Sequence, residues 1–178
     1  NFINRATKGV YELGSVFKTF TLAGGLNEGV IETKSKFNNL PKNITCAGKS
    51  ISEYDNKIPA NLTAEEILIR SGNIGSVRIA QKIGEIKMKN FLDKIGLLKK
   101  IKFDIEEVGQ PLPVRWGKCK LATASFGHGI TTTLLQLAKG YSIISNGGYI
   151  IEPRLVKRSQ TGNNKKIKIL NDGISSEM

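Results

Sequence analysis

The sequence predicts a mostly helical chain with few strands, and three observations favour this fold class. Apolar residues recur at helical spacing in several separate segments. Glycines stand where most of these segments should end, as at Gly84 and Gly96. Strand-like patterns are short and scarce. A chain of 178 residues suits one domain, or part of one, with enough length to bury a core.

The N-terminal third predicts one helix, a polar region and a second, short helix. The first helix should run from about Ser15 to Leu26, where Gly24-Gly25 indicates close packing or an early end. Residues 31–62 are polar and broken by prolines, with a possible short hairpin around residues 47–48. Thr63 and Glu66 then have capping-box spacing, which predicts the start of a short helix.

Two further helices are expected in the middle of the chain. The first is amphipathic and should stop at Gly84. Its apolar side comprises Ile74, Val77, Ile79, Ala80 and Ile83. The segment KMKNFLDKIGL repeats this plan and should end at Gly96. Residues 101–120 contain Pro111, Pro113 and Trp116, so we expect a loop there.

The last part of the chain predicts a turn, a helix and a strand. The run SFGHG at 125–129 predicts a glycine-punctuated turn before the helix. The predicted buried face of that helix comprises Leu134, Leu137, Ala138, Tyr141 and Ile144. Glycines at 147 and 148 should end it, and YIIEPRLVKRSQ at 149–160 predicts an extended strand.

The net charge of +12 raises the question of a nucleic-acid or anionic-membrane partner. The basic residues are scattered, however, and they occur among Asn and Ile rather than in one patch. No helix-turn-helix, zinc-finger or RNP pattern accompanies them. We therefore expect no nucleic-acid partner.

The counts of cysteine and histidine exclude several kinds of site. His128 is the sole histidine, so a His-based metal cluster and a Ser-His-Asp triad are excluded within this chain. We expect neither a metal nor a cofactor. Cys46 and Cys119 are isolated thiols that fit a reducing or an oxidising compartment. No apolar run approaches the ~18 residues of a spanning helix, so we expect a soluble segment.

A serine and a lysine stand three positions apart in YELGSVFK, residues 11–18. In a helix Ser15 and Lys18 would project from one face. A neutral lysine can take the proton of a serine hydroxyl, provided that burial or neighbouring cations lower its pKa. The same spacing also occurs in ordinary helices, where the two residues are only polar surface groups.

A second polar group, SGN at 71–73, lies between two predicted helices. The hydroxyl of Ser71 could relay a proton, and the amide of Asn73 could bind a substrate carbonyl. The same three residues also suit a plain helix-linking turn. Together, an SxxK motif followed 56 positions later (71 minus 15) by an SxN motif is the pair found in serine acyltransferases that use a lysine base.

Three separated segments resemble the class B penicillin-binding proteins. NRAT with YELGSVFK resembles the YEPGSTFK-type start of their active-site helix, and SGNIGSVRIAQKIG resembles their SSNIG-type second motif. TASFGHGITTTLLQLAKGYSIISNGG resembles a late segment of their transpeptidase domain. The glutamate of YELGS and the SFGHG run resemble the cell-division branch more than the elongation branch. The resemblance covers nearly all of the chain.

The resemblance implies a role for each motif residue. Ser15 would attack a D-alanyl-D-alanine stem peptide of peptidoglycan and become acylated, with Lys18 as general base. Ser71 would shuttle protons and Asn73 would hold the substrate amide. β-Lactams would acylate the same serine. The parent would be a septal D,D-transpeptidase anchored in the bacterial inner membrane, with this domain in the periplasm and cell-division membrane proteins as partners.

The sequence departs from the family pattern in ways that imply a partial domain. Leu13 and Gly72 replace the usual proline and second serine. The third motif, KTG, has only QTG at 160–162 as a look-alike, which we interpret as a turn. The strands that usually precede NRAT are also absent, and the chain begins with Asn1. We expect residues 1–178 to be the central, mostly helical part of an α/β serine transpeptidase domain, inactive by itself.

Two alternatives remain open from the sequence. A serine β-lactamase or D,D-carboxypeptidase shares the SxxK logic, although the segment from SFGHG to SNGG argues against it. A penicillin-sensing or catalytically silent binding domain is the other alternative. The chain retains the four motif residues, which argues against a catalytically silent domain; they are Ser15, Lys18, Ser71 and Asn73. The missing KTG motif leaves the silent binding domain open as an alternative.

Overall fold

The computed structural model describes residues 2–117, 119–157 and 166–178. The chain divides into two compact units. The first unit comprises Asn1–Tyr11, Leu92–Pro113 and Thr131–Met178, and the second comprises Glu12–Phe91 and Val114–Ile130. Ser15, Lys18, Ser71 and Asn73 all belong to the second unit.

Helices dominate the described residues, in agreement with the predicted fold class, and the strands form only two-stranded pairs. In chain order the elements are β1 (Val10–Glu12), a 3-10 turn (Gly14–Phe17), α1 (Lys18–Asn27), β2 (Lys36–Phe37), β3 (Asn43–Cys46), β4 (Lys49–Ser52), β5 (Leu62–Thr63), α2 (Ala64–Ile69), α3 (Asn73–Ile83), α4 (Glu85–Lys94), α5 (Lys120–Ala124), β6 (Thr131–Thr133), α6 (Leu134–Ser145) and α7 (Ile174–Glu177). The strand pairs are β1 with β6, β2 with β5 and β3 with β4. In this described part of the chain no helix is both long and apolar enough to cross a bilayer.

The core of the second unit forms where α1 packs against α3. The predicted apolar side of α3 is buried throughout, and Gly84 ends this helix with φ = 81°. Helix α1 does not stop at Gly24-Gly25, because these glycines serve close packing instead. A Cβ at Gly25 would lie 2.7 Å from a side-chain carbon of Ile31. The Gly-Gly pair therefore lets α1 approach its neighbours closely.

The predicted hairpin is confirmed as β3 and β4, which pair antiparallel with Ile44 opposite Ile51. Ala47 and Gly48, between the two strands, have φ of 47° and 76°. Positive φ at both central residues matches the twist of a two-residue hairpin turn. Cys46, the last residue of β3, forms a disulfide with Cys119, directly before α5. The hairpin is thus covalently tied to the start of α5.

The predicted capping box at the start of α2 is also confirmed. The Thr63 hydroxyl accepts a hydrogen bond from the Glu66 N–H at 3.2 Å, and the Glu66 carboxylate accepts one from the Thr63 N–H at 2.8 Å. Each residue satisfies one backbone donor that the first helical turn leaves open. The bonds fix the start of the helix that leads to Ser71.

The predicted buried face of α6, in the first unit, is confirmed at Ile144 and wrong at three other positions. Leu134 and Tyr141 are 46% and 37% exposed, and Ala138 is exposed as well. Helix α6 instead buries Gln136, Gly140, Ile143 and Ile144. Gln136 is fully buried and donates hydrogen bonds to the carbonyls of Gly96 and Lys99 at 3.1 and 2.6 Å. A satisfied polar residue can occupy a core position, which a pattern of apolar residues alone does not reveal.

The strand predicted for residues 149–160 is also wrong over its described part, 149–157. Only Tyr149 forms a bridge, with Lys168, and the Ile150 N–H donates to the Ile167 carbonyl. Pro153 has no N–H to continue such a ladder. Residues 158–160, and the QTG segment at 160–162, lie outside the described residues.

Candidate active site

Ser15 lies in the 3-10 turn that precedes α1 and is exposed at the surface. Gly14 enters this turn with φ = 58°, a conformation that glycine adopts without a Cβ penalty. The Leu13 N–H donates to the Ile130 carbonyl at 3.3 Å, and the Gly14 N–H to the Gly127 carbonyl at 3.4 Å. Hydrogen bonds therefore fix the backbone before Ser15 to residues 127–130, while the Ser15 side chain remains exposed.

Lys18 begins α1 and is only 2% exposed. Its Nζ lies 3.2 Å from Ser15 Oγ, 2.9 Å from Ser71 Oγ and 2.5 Å from the Ser71 carbonyl oxygen. An ammonium group has three donors, and these three oxygens can accept all of them. Lys18 therefore joins the two motif serines by direct hydrogen bonds.

Burial lowers the pKa of Lys18 to about 8, and the negative charge of Glu53 opposes part of this shift. At pH 7 a pKa of 8 leaves about one lysine in ten neutral, against fewer than about one in a thousand for an ordinary lysine. A neutral amine can accept the proton of a serine hydroxyl. An amine with this pKa could therefore serve as a base near neutral pH without a histidine.

Ser71 follows Arg70, the C-cap residue of α2, and holds the position that glycine usually occupies after a helix. The Ser71 N–H donates to the Leu68 carbonyl at 3.0 Å, and the Gly72 N–H donates to the Ile67 carbonyl at 2.9 Å. This pair of bonds is the Schellman motif, which requires a left-handed residue directly after the helix. Ser71 adopts it with φ = 52°.

The left-handed backbone at Ser71 costs on the order of 1–2 kcal/mol for a residue with a Cβ. In return it turns both the carbonyl and the hydroxyl of Ser71 toward Lys18. Backbone strain of this kind is concentrated at functional sites, where the surrounding structure over-determines it. The distortion at Ser71 is consistent with such a site.

Asn73 is the first residue of α3 and is half-buried. Its side-chain amide donates to the Ser52 carbonyl at 2.9 Å, and its N–H donates to Glu53 Oε2 at 2.6 Å. The three bonds made by the Lys18 ammonium go to Ser15 and Ser71 instead. The last residue of β4 and the residue after it therefore set the orientation of Asn73.

The SFGHG run supports the turn that carries Ser15. Gly127 has φ = 84°, and a Cβ there would lie 2.1 Å from the Gly14 carbonyl oxygen. The Thr21 hydroxyl donates to the Ser125 carbonyl at 2.7 Å, with both residues buried. The Thr21–Ser125 hydrogen bond and the close approach of Gly127 to Gly14 hold this loop against the start of α1. A side chain at position 127 would push the two backbones apart.

The end of the same loop contacts Glu12, the residue preceding Leu13. Glu12 Oε1 accepts a hydrogen bond from the Gly129 N–H and lies 3.1 Å from His128 Nδ1. Both side chains of the latter pair are largely exposed, so their attraction is weak. His128 thus serves the loop and has no contact in this geometry that would make it the base for Ser15.

The structure brings Ser15, Lys18 and Ser71 together, as the motif spacing predicts. The separation between Lys18 and Ser71 is well inside the ~6 Å that a proton relay requires. Asn73 begins the helix at the same junction, and its predicted role as a substrate ligand stays a prediction. Glu53 was missed, because nothing in the sequence links residue 53 to residue 73.

The comparisons with known proteins identify the family. The family described as penicillin binding protein transpeptidase domain matches residues 1–176. A probable peptidoglycan D,D-transpeptidase FtsI of Caulobacter vibrioides is 32% identical over 178 residues, which cover 99% of this chain and 30% of that protein. The peptidoglycan D,D-transpeptidase FtsI of Escherichia coli is 30% identical over 151 residues, 82% of this chain and 24% of that protein.

Solved structures share the fold. A peptidoglycan glycosyltransferase from Burkholderia ambifaria superposes with a TM-score of 0.89 over 99% of this chain and 56% of that one, at 23% identity. The transpeptidase domain of penicillin-binding protein 3 from Burkholderia pseudomallei gives 0.88 over 98% and 53%, at 24% identity. The chain spans about a third of the length of the curated relatives it matches. With the family matched over nearly its whole length, the chain belongs to the penicillin-binding protein transpeptidase domains.

Proposed function

We propose that the chain is part of a peptidoglycan D,D-transpeptidase in which Ser15 is the acylated nucleophile and Lys18 its base. The observation that carries this proposal is the position of the buried Lys18 amine, within 3.2 Å of Ser15 Oγ and 2.9 Å of Ser71 Oγ. Neutral Lys18 accepts the Ser15 proton as Oγ attacks the carbonyl carbon of the penultimate D-alanine. Ser71 passes a proton to the departing amine.

The reaction then proceeds through an ester. The amide C–N bond of the donor peptide breaks, the terminal D-alanine leaves, and the peptide stays bound to Ser15 Oγ. An amino group of a second stem peptide attacks this ester, forms the cross-link and releases Ser15. The Ser15 N–H is one donor for the developing oxyanion. Asn73 orients the substrate amide.

β-Lactams resemble the terminal D-alanyl-D-alanine, so the proposal includes their covalent attachment to Ser15. The names of the curated relatives support a peptidoglycan substrate, and the two FtsI proteins support a role in cell division. The Cys46–Cys119 disulfide favours an oxidising compartment such as the periplasm. We infer a membrane-anchored parent with cell-division proteins as partners, on the strength of this family membership.

The test uses the full-length natural protein that contains this chain, because the chain spans only part of its relatives. The protein is incubated with a donor peptide ending in D-Ala-D-Ala and an acceptor amine, with Ser15→Ala as the control. We expect cross-linked product from the wild type and none from the variant. Release of D-alanine without cross-linking would instead assign a D,D-carboxypeptidase.

The two alternatives differ in how they treat penicillin. A β-lactamase would release the hydrolysed drug rapidly, whereas a transpeptidase holds the acyl-enzyme for a long time. A penicillin sensor would be acylated but would not turn over the donor peptide. Measuring both the release rate and peptide turnover on one preparation separates the three functions.

A further inference from the structure

Helix α3 has no cap of its own at the junction that carries the SGN motif. Gly72 occupies the N-cap position and offers no side-chain acceptor, and the first turn contains no acidic residue. Glu53, 20 residues before Asn73, accepts hydrogen bonds from two of the N–H groups that the first turn leaves open. The Asn73 N–H donates to Glu53 Oε2 at 2.6 Å, and the Ile74 N–H donates to Oε1 at 2.9 Å. Such charge-assisted bonds also complement the positive end of the helix.

The residue before Glu53 holds the side chain of Asn73. The Ser52 carbonyl accepts the hydrogen bond from Asn73 Nδ2 at 2.9 Å. Residues 52 and 53 therefore fix both the backbone and the amide group of Asn73. Ser52 is the last residue of β4, and Glu53 comes directly after it. The β3–β4 hairpin therefore positions the two residues that orient Asn73, the candidate substrate ligand.

The charge of Glu53 also acts on Lys18. The groups that face the Lys18 amine from its own turn and from the α2–α3 junction are neutral oxygens of Ser15 and Ser71. Glu53 is half-buried and attracts the ammonium form, so it raises the pKa of Lys18 against the larger, lowering effect of burial. One carboxylate thus contacts the Asn73 backbone and acts on the base.

We propose that Glu53 is a positioning residue of the acyl-transfer site, which holds Asn73 by accepting hydrogen bonds from the first turn of α3. The catalytic meaning of this role rests on the proposed function. Glu53 has no hydrogen bond to Ser15 or Lys18 among the contacts described, and it acts through Asn73. Position 53 lies outside both the SxxK motif and the SGN motif.

The test compares Glu53→Gln with Asp55→Asn in the full-length protein. Both changes remove one negative charge, but Asp55 bonds the Lys57 N–H and has no bond to α3 among the contacts described. The pH midpoint of Lys18 is measured by NMR titration of isotopically labelled lysine, which requires neither activity nor access for a reagent. The rate of Ser15 acylation by a fluorescent penicillin is measured above that midpoint. Circular dichroism checks the fold of each variant.

We expect Glu53→Gln to lower the Lys18 midpoint and to slow acylation by ~10-fold or more, as for the loss of a hydrogen bond to a charged group. Asp55→Asn should change neither quantity. Adding Gly72→Ser to Glu53→Gln offers α3 a local cap and should restore part of the rate but not the midpoint. A Cβ at position 72 has room, since its nearest neighbour lies 3.7 Å away.

Acylation by Glu53→Gln at the wild-type rate overturns the proposal. If that variant does not fold, Glu53→Asp decides: its shorter side chain cannot reach both N–H groups of α3, so acylation should slow, and a wild-type rate contradicts the proposal. Absence of Ser15 acylation in the wild type would instead count against the proposed function. Amide hydrogen exchange at Asn73 and Ile74, which Glu53→Gln should speed up, still tests Glu53 in that case.

Discussion

The side-chain nitrogen of Lys18 lies 2.9 Å from the hydroxyl and 2.5 Å from the carbonyl oxygen of Ser71. The lysine belongs to the first turn of α1, and the serine ends α2, 53 residues later (71 minus 18). The amine is buried, which lowers its pKa, and this contact gives it two hydrogen-bond acceptors. It brings the SxxK and SGN motifs into direct contact, as their pairing in the sequence predicts.

The rate of acylation should depend on pH through Lys18. Its pKa of about 8 means that the amine gains a proton, and stops acting as a base, as the pH falls through 8. The acylation rate should therefore fall ~10-fold per pH unit below 8 and level off above it. Stopped-flow measurement with a chromogenic β-lactam gives this profile. A flat profile between pH 6 and 9 would contradict it.

Lys18→Arg should not restore the reaction. Arginine keeps the positive charge but cannot release its proton at physiological pH, so we expect a loss of ~10² or more in the acylation rate. The same stopped-flow assay measures it. Near-normal acylation by this variant would mean that Lys18 acts only as an electrostatic group.

Two substitutions at Ser71 separate backbone strain from the lost hydroxyl. Ser71→Gly and Ser71→Ala both remove the bond between the Lys18 amine and the hydroxyl, but only glycine adopts φ = 52° freely. We expect Ser71→Gly to be the more stable variant, with a free energy of unfolding ~1 kcal/mol larger than that of Ser71→Ala. Urea unfolding measures the difference. Equal stabilities would show that the left-handed backbone carries no strain.

The loop contact below Ser15 can be tested with two glycines. A Cβ at Gly127 would strike the backbone of Gly14, whereas a Cβ at Gly129 would strike the end of the flexible Lys120 side chain. Both glycines have positive φ, so their backbone penalties are matched. Gly127→Ala should reduce Ser15 acylation at least ~10-fold more than Gly129→Ala, because a misplaced nucleophile loses its near-attack geometry. Equal rates would separate this loop from the site.

The disulfide should stabilise the fold. Cys46 and Cys119 are 73 residues apart, and closing a loop of that length contributes about 4 kcal/mol in the chain-entropy model. Cys46→Ser, Cys119→Ser and the double variant should lose equal amounts of unfolding free energy, because any one change removes the bond. Chemical denaturation of the three variants measures this. Additive losses would show that the two thiols act independently.

The sequence predicted those features that short segments specify. The apolar side of α3, the Thr63–Glu66 capping box and the hairpin at 47–48 depend on neighbours within a few positions, and the structure contains all three. The match of separate motifs to one family then placed Ser15, Lys18 and Ser71 in one site. Local patterns and motif order therefore carried most of the fold class and the candidate site.

What the sequence could not predict depends on tertiary contacts. Gln136 is buried because carbonyls of another segment accept its hydrogen bonds, so the pattern of apolar residues did not predict its place on the buried side of α6. Ser71 holds the left-handed position where the usual signal is glycine. Glu53 reaches Asn73 across 20 residues with no motif to mark it. Predicting any of these three features requires knowing which segments, distant in sequence, are in contact in the fold.

The most direct test of the account is the position of the covalent β-lactam adduct. The full-length protein is labelled with penicillin, digested and mapped by mass spectrometry, with Ser15→Ala, Ser125→Ala and Ser142→Ala prepared in parallel. The Ser125 hydroxyl donates to the Ala122 carbonyl and the Ser142 hydroxyl to the Ala138 carbonyl, so neither hydroxyl bonds a lysine among the contacts described. We predict one penicilloyl adduct, on Ser15, which only Ser15→Ala abolishes. An adduct on another serine, or full labelling of Ser15→Ala, would contradict the account.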